Sequence, residues 1–387
     1  MSWEKVKLGD VTDSCLGKML DQVKNKGEYQ PYLANVDVRW GSFNLENLSL
    51  MRFEASEQER YGLKYGDLVI CEGGEPGRCA IWKDQIPGMK IQKALHRVRV
   101  HDCLDYRYLY YWFLLAGKTG ELEQYFTGAT IKHMPGEKLK SIVITKPPIE
   151  VQRKIADILW TYDDLIENNQ KQIKLLEEAA QRLYKEWFVD LRFPGYENTP
   201  IVDGVPEGWV EGTIQDVVIY HDKRRKPLSG IQRAEMQGQY RYYGAASILD
   251  YVNDYLFDGT YLLLGEDGTV VTEDGFPILQ YVTGKFWVNN HAHVLTGQPD
   301  YPTEYLYMMF KATKVKDVVT GAAQPKISQA RLSSKKIIIP SKYLVREYCT
   351  KVDSIFSLIL NLEQQIIMYK EARDRLLPKL MNGEIEV

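Results

Sequence analysis

From Ile155 to Trp187 the chain reads IADILWTYDDLIENNQKQIKLLEEAAQRLYKEW, a run with the periodicity of one long helix. Ile155, Leu159, Tyr162, Ile166, Asn169, Ile173, Leu176, Ala180, Leu183 and Trp187 follow one another at 4-3-4-3 spacing without a break. That is a heptad seam, the pattern that keeps one face of a long helix against a partner helix. Adding 193 to each number gives Tyr348, Val352, Ile355, Ile359, Leu362, Ile366, Tyr369, Arg373, Leu376 and Leu380, almost the same seam again. Two long helices, each preceded by a similar stretch of chain, imply a two-fold internal repeat.

The flanking sequence supports the repeat. Trp3 to Val11 (WEKVKLGDV) matches Trp209 to Val217 (WVEGTIQDV), and Tyr29-Gln30-Pro31-Tyr32-Leu33-Ala34 matches Tyr240-Arg241-Tyr242-Tyr243-Gly244-Ala245. Gly66 to Ile70 falls on Gly259 to Leu263, Gln92 and His96 on Asn289 and His293, and Tyr108-Leu109-Tyr110 on Tyr305-Leu306-Tyr307. Thr127-Gly128-Ala129 falls on Thr320-Gly321-Ala322, and Pro147 on Pro340. The offset drifts from 206–211 near each start to 193–197 later, as small loop insertions and deletions would produce.

Within each half, strand-like alternation and turn signals come first and the long helix last. Leu68-Val69-Ile70, Ala80-Ile81-Trp82, Leu95 to Val100 and Ile142-Val143-Ile144 read as strands, with Pro147-Pro148 ending the last of them. Tyr106 to Leu115, bounded by Gly117, reads as a short buried helix. The expected fold class is α+β: two similar α/β units separated by two long antiparallel helices, a coiled coil related by a pseudo-two-fold axis. The expected boundaries are 1–148 for the first unit, 149–193 for the central spacer helix, 194–340 for the second unit and 341–387 for the C-terminal spacer helix. A helix of about 33 residues is about 50 Å long, so it can act as a spacer. Asn169 and Arg373 are polar seam positions of the register-setting or end-of-seam kind. Pro378 should kink or end the second helix.

Composition narrows the function classes. The 387 residues suggest two domains, and 49 Lys and Arg against 52 Asp and Glu leave a net charge of −3, with no global basic bias. Cys15, Cys71, Cys79, Cys103 and Cys349 contain no CxxC pair and read as free thiols in a reducing, cytoplasmic setting. The start, MSWEKVKLGD, lacks the apolar core of a secretory signal. No apolar run approaches the roughly 18 residues that span a bilayer.

Catalytic motifs do not emerge. The Pro-Pro of Lys146-Pro147-Pro148-Ile149 lacks the amide or acid and the aromatic of a base methyltransferase motif. Gly117-Lys118-Thr119 has Trp112 where a P-loop needs its first glycine, so it reads as a helix-ending turn. Pro299-Asp300 has no acidic-x-Lys triplet after it, and no Gly-x-Ser-x-Gly elbow is present. His291-Ala292-His293 could set two imidazoles on one side of a strand, but no cysteine or carboxylate is tied to them, and no metal site is assigned. The expectation is a non-catalytic chain.

Two diverged heads on a spacer suit a two-part target, and a DNA duplex repeats every 34–36 Å. Phosphates are met by Lys and Arg, while base edges are read by Arg, Lys, Asn, Gln and Ser or Thr. The candidate DNA-binding residues in the first half are Lys18, Lys24, Lys26, Arg39, Arg78, Thr130, Lys132 and His133. In the second half they are Lys223, Arg224, Arg225, Lys226, Gln324 and Lys326. The alternative is a protein-interaction scaffold with two diverged binding heads.

In this order, the features resemble those of the specificity subunit of type I restriction-modification systems, over essentially the full chain. The resemblance rests on the duplication and on the half-unit starts Trp3-Glu4-Lys5-Val6 and Pro206-Glu207-Gly208-Trp209. It also rests on the Thr-Gly loops, the Pro-Pro or Ile-Pro strand ends, and the helix tails Glu178 to Leu183 and Glu371 to Leu376. Leu380-Met381-Asn382-Gly383-Glu384-Ile385 is similar to the usual C-terminal ending of that family. The resemblance implies two target recognition domains, each reading half of a bipartite double-stranded DNA sequence, with a gap set by the helices. It further implies assembly with two methyltransferase subunits and two ATP-dependent restriction (translocase) subunits. S-adenosylmethionine, ATP and magnesium would belong to those partners, with no cofactor in this chain. Recognition domains vary among relatives, so the resemblance assigns no base-reading residue.

Overall fold

The structure, a computed structural model, describes residues 3–21, 25–321 and 323–387. It divides into two compact units, one made of residues 1–168 with 365–387 and the other of residues 169–364. Both divisions fall inside the long helices Ile149–Tyr184 and Lys342–Met381.

In the first unit, Glu4–Lys7 pairs antiparallel with Val143–Lys146, joining the start of the unit to the strand that feeds the long helix. A four-stranded sheet follows in the order Thr12–Leu16, Leu95–Val100, Leu68–Cys71, Cys79–Ile81. A second sheet sets Glu28–Leu33 antiparallel to Leu50–Phe53 and parallel to Lys90–Ile91. The helix Tyr106–Thr119 packs its buried face, Tyr108 to Leu114, into the main core. Asp105 caps it by accepting from the backbone N–H groups of Arg107 (2.9 Å) and Tyr108 (3.2 Å). The helix runs through Gly117, where the sequence suggested a boundary, and ends at Gly120 with φ 76°. Gly117 is there for packing: a Cβ on it would lie 2.9 Å from the Trp40 ring. Lys118 and Thr119 form the last helical turn.

Pro147 and Pro148 stop the last strand, and the long helix begins at Ile149. Buried Gln152 fixes this corner, donating to Pro147 O (2.8 Å) and Cys103 O (3.1 Å) and accepting from Asp105 N–H (2.9 Å). One amide thus satisfies three backbone groups that the turn would otherwise leave unpaired. On the seam, Ile155 and Leu159 share a core with Leu377 and Leu380, and the Tyr162 and Tyr369 rings lie 6.5 Å apart. Rising numbers on one helix meet falling numbers on the other, so the two segments run antiparallel. Burying one such Leu or Ile contributes about 1.5–3 kcal/mol. Arg373 forms an ion pair with Asp163, which also accepts from the Tyr111 hydroxyl at 2.6 Å. Pro378 lies inside the second long helix, which continues to Met381 instead of stopping. Only one carbonyl loses its partner so close to the end, so the last turn tolerates the proline.

The second unit repeats this plan. Val210–Thr213 pairs with Lys336–Ile339, and the four-stranded sheet runs Val218–Tyr220, Ala292–Gly297, Tyr261–Gly265, Leu279–Val282. In its second sheet, Gln237–Tyr243 lies antiparallel to Ile248–Val252 and parallel to Lys285–Val288, with Phe257–Asp258 added at the edge. The helix Thr303–Ala312 occupies the place of Tyr106–Thr119 and buries Tyr305 through Phe310. Ile173, Leu176 and Ala180 join Tyr348, Val352, Ile355 and Ile359 in one core, and the Tyr348 hydroxyl donates to Ala180 O at 2.9 Å. Seam residues Ile166 and Leu362 are buried and Ile366 is half-buried. The first long helix leaves α geometry at Tyr184, passes through a π turn at Lys185–Val189, and breaks at Leu191 with φ 59°. Trp187 seals that end against Tyr348, ring centroids 6.1 Å apart.

Candidate nucleic-acid interface

Each unit presents a short hairpin, closed by glycine, at matched positions of the repeat. In the first, Thr127 and His133 exchange backbone hydrogen bonds of 2.7 and 2.8 Å, and the Thr127 hydroxyl donates to His133 O at 3.3 Å. Gly128 has φ 93°, and a Cβ there would lie 2.2 Å from Ile131 O, so no other residue closes this turn without strain. In the second, Val319–Thr320 pairs with Lys326–Ile327, and the Thr320 hydroxyl donates to Lys326 O at 3.2 Å. Gly321 has φ 82°, with its would-be Cβ 2.3 Å from Gln324 O. Thr130, Ile131, Lys132 and His133 are exposed on the first hairpin, as are Gln324 and Lys326 on the second.

Both hairpins are tied down in the same way. A buried histidine on the central strand, His96 or His293, points Nε2 at the carbonyl of the residue that follows His133 or Lys326, Met134 O at 3.0 Å or Ile327 O at 2.8 Å. A carbonyl only accepts, so Nε2 carries the hydrogen. The next backbone bond also repeats, Met134 N–H to Glu72 O at 2.7 Å and Ile327 N–H to Glu266 O at 2.9 Å. Burial pushes the His96 pKa below its ordinary value, and the bond to Met134 and the Glu72 charge offset this only in part.

The chemistry then diverges. In the first unit His133 lies against Gly73, where a Cβ would meet its Nδ1 at 2.9 Å. In the second unit the paired residues are Lys326 and Asp267, with Lys326 Nζ 3.3 Å from both Asp267 and Glu266. Hydrogen bonding to Asp267 leads the interactions that raise the Lys326 pKa.

The basic run 223–226 splits by role. Lys223 and Lys226 are exposed. Arg224 donates to Leu256 O at 2.6 Å and covers the Phe257 ring at 4.5 Å. Arg225 points inward, donating to Glu266 at 2.6 Å and Ala292 O at 2.7 Å, with Asp222 at 3.5 Å. Asp222, Glu266 and His293 converge within 4.8 Å of one another, a grouping able to hold a cation, and the Arg225 guanidinium already lies against both carboxylates. Burial alone would raise the Asp222 pKa, but the 2.6 Å contact with His293, the Val294 N–H and the Arg225 charge outweigh it and hold the carboxyl low. These carboxylates, 71 and 27 positions from His293, are the partners that the His291-Ala292-His293 triplet alone did not reveal. His291 itself is half exposed, 3.5 Å from Asp267.

Several candidates of the first unit sit differently from expectation. Lys18 is buried rather than surface-facing: its ammonium contacts Glu57 at 2.5 Å and donates to Arg52 O at 2.9 Å. A cation with its charge already matched inside the unit is not displayed to a phosphate. Arg78 is half-buried and structural in its contacts, pairing with Glu75 at 3.0 Å and donating to Asn35 O and Oδ1 at 3.2 Å. Asn35 in turn donates to Gly73 O at 3.0 Å, so Arg78 props the loop against which His133 rests. Arg39 is exposed with its guanidinium on the carbonyls of Val36 and Val38. Lys26 is exposed, and Lys24 lies outside the described residues. Nothing in the local sequence marks Asn35, Asp267 or Glu266, and His96 and His293 stand out there only as a repeated pair. Their recurrence at one position in both halves was the available signal.

A twice-built α/β unit, carrying the same anchored hairpin with different side chains on it, defines a duplicated recognition protein. The chain belongs to the family described as the type I restriction modification DNA specificity domain, which matches residues 1–178 and again residues 206–367. It is 28% identical over 348 residues to the type I restriction enzyme MjaIX specificity subunit of Methanocaldococcus jannaschii, covering 83% of this chain and 78% of that one. It is 23% identical to the HindI specificity subunit of Haemophilus influenzae, with 99% of each chain covered. The S subunit of the type I restriction-modification system of M. genitalium has a similar fold, with a TM-score of 0.51 over 98% of this chain and 96% of that one at 17% identity. Among the described residues, no helix is long and apolar enough to cross a membrane.

Proposed function

We propose that this chain is the sequence-specific DNA recognition subunit of a cytoplasmic type I restriction-modification complex. Residues 1–148 and 194–340 act as two target recognition domains, each reading one half of a bipartite duplex target. Residues 149–193 and 341–387 are the spacer helices that set the gap. The chain itself is non-catalytic. It directs two methyltransferase subunits and two restriction subunits, and these bring S-adenosylmethionine, ATP and magnesium.

The observation that carries this reading is the pair of hairpins, each anchored by the same histidine-to-carbonyl bond, with Ile131 and His133 on the first where Gln324 and Lys326 stand on the second. An apolar tip suits a thymine methyl group, while an amide and an ammonium suit adenine and guanine edges. Conserved scaffolding under divergent tips is what reading two unlike half-sites requires.

The test is co-expression with a methyltransferase subunit, followed by methylation mapping. A discontinuous motif is expected. Replacing residues 129–132 by the corresponding residues of the second hairpin should alter one half-site and leave the other intact. A four-residue insertion in either long helix should change the gap alone. A single contiguous motif, or a gap indifferent to the insertion, overturns the reading.

A further inference from the structure

The two units also differ behind the tryptophan that opens each of them. Trp209, just ahead of the strand Val210–Thr213, is buried under Phe193 and Phe188, with ring centroids at 5.3 and 6.0 Å. Phe193 belongs to the segment that follows the first long helix, where Arg192 N–H donates to Glu186 O at 2.8 Å. The first unit makes the same bond 193 positions later, Ile385 N–H to Lys379 O at 3.1 Å. By that register the counterpart of Phe193 is Glu386, which is exposed.

Trp3, the counterpart of Trp209, therefore has no aromatic cover among the described residues. It is half-buried beside Gly383 and opens on a groove of about 780 Å³ walled by Pro147, Pro148, Val151 and Ile385. The rim carries Glu4, Glu386 and Lys146, and the lysine is committed to Glu4 at 2.8 Å. Glu386 has no ion pair among the described residues, so the rim is left with an acidic excess. In the second unit the covering phenylalanine follows a cation, Arg192. A stretch of this kind would place its ring on Trp3 and its charge at Glu386.

We propose that the Trp3 groove is a docking site for a partner polypeptide that inserts an aromatic side chain next to a basic residue, as Arg192-Phe193 does within the second unit. The proposal does not depend on the DNA reading, and its test contains no DNA.

The probe is a labelled peptide of the chain's own residues 191–198, LRFPGYEN, titrated into the full chain and read by fluorescence anisotropy. Saturable binding is expected. Glu386→Phe, which supplies the missing ring in cis at an exposed position, should weaken it about tenfold or more, as should Trp3→Ala and a peptide with Phe replaced by Ala. Melting curves identify any Trp3→Ala protein that has failed to fold, and Glu386→Phe keeps the test decisive in that case. No binding, equal binding by the Ala peptide, or indifference to Glu386→Phe overturns the proposal. So does concentration-dependent dimerisation that Glu386→Phe abolishes, because the occupant would then be a second copy of this chain.

Discussion

His96 donates its Nε2 hydrogen to the carbonyl oxygen of Met134 at 3.0 Å, and so ties the central strand of the first unit to the base of the Thr127–His133 hairpin. The bond lies in the interior, where a carbonyl left without a donor costs about 1–3 kcal/mol. His96→Ala should therefore lower the stability of the first unit by at least that amount, the vacated volume adding to it. Chemical denaturation measures the loss, and a change below about 0.5 kcal/mol would mean that the bond is incidental.

The same ring makes the first unit sensitive to acid. Its pKa is lowered in the fold by burial, below the ordinary 6.5. As pH falls through that ordinary value, the unfolded chain takes up a proton that the folded ring refuses. The unfolded state then binds more protons, and stability falls with pH. Melting temperature should decline from about pH 6.5 downward, and His96→Gln should flatten that part of the curve. A parallel decline in the variant would assign the effect to other groups.

Lys223 and Arg225 are two positions apart in sequence and opposite in behaviour. Lys223 is exposed, with no ion pair among the described residues, whereas Arg225 is bonded to Glu266 and Ala292 O. Lys223→Ala should leave folding unchanged, weaken DNA binding by the assembled complex, and reduce the salt slope by about one. Arg225→Ala should instead destabilise the second unit by about 1–3 kcal/mol, since it removes a half-buried guanidinium bonded to Glu266 and to the Ala292 carbonyl, while His293 and Lys326 still face the two carboxylates. Binding measured at several salt concentrations, beside denaturation curves, separates the two.

Arg373 and Asp163 pair across the helix seam of the first unit with side chains 14% and 22% exposed. Arg373→Ala should cost about 3 kcal/mol by leaving Asp163 without its partner. Replacing both with apolar residues of similar size should recover most of that. If the double variant is as unstable as the single one, the pair sets register and does more than neutralise charge.

The helices and the repeat were legible in the sequence because they are periodic: a seam at 4-3 spacing is a local signal, and a duplication doubles it. The hairpins were legible too, since Thr-Gly at matched positions marks the same turn. Side-chain direction was not. Lys18 and Arg225 look like surface cations in a one-dimensional reading, but Glu57 lies 39 residues from the first and Glu266 lies 41 residues from the second. Only the sheets bring them together. Gly117 misled for a related reason. A glycine needed for a close approach to Trp40 carries the same letter as one that ends a helix, and Gly120 did the ending.

The division of both long helices has a consequence for how the chain is made. The core of the first unit contains Leu377, Leu380 and Met381, whereas the second unit is built from residues 169–364 without interruption. During synthesis from the N-terminus, the unit begun first must wait for residues beyond 364 to emerge, and the unit begun second can close before it. Order of completion is thus the reverse of order of synthesis. A chain truncated after residue 364 should carry a protease-resistant second half joined to a first half that is still open.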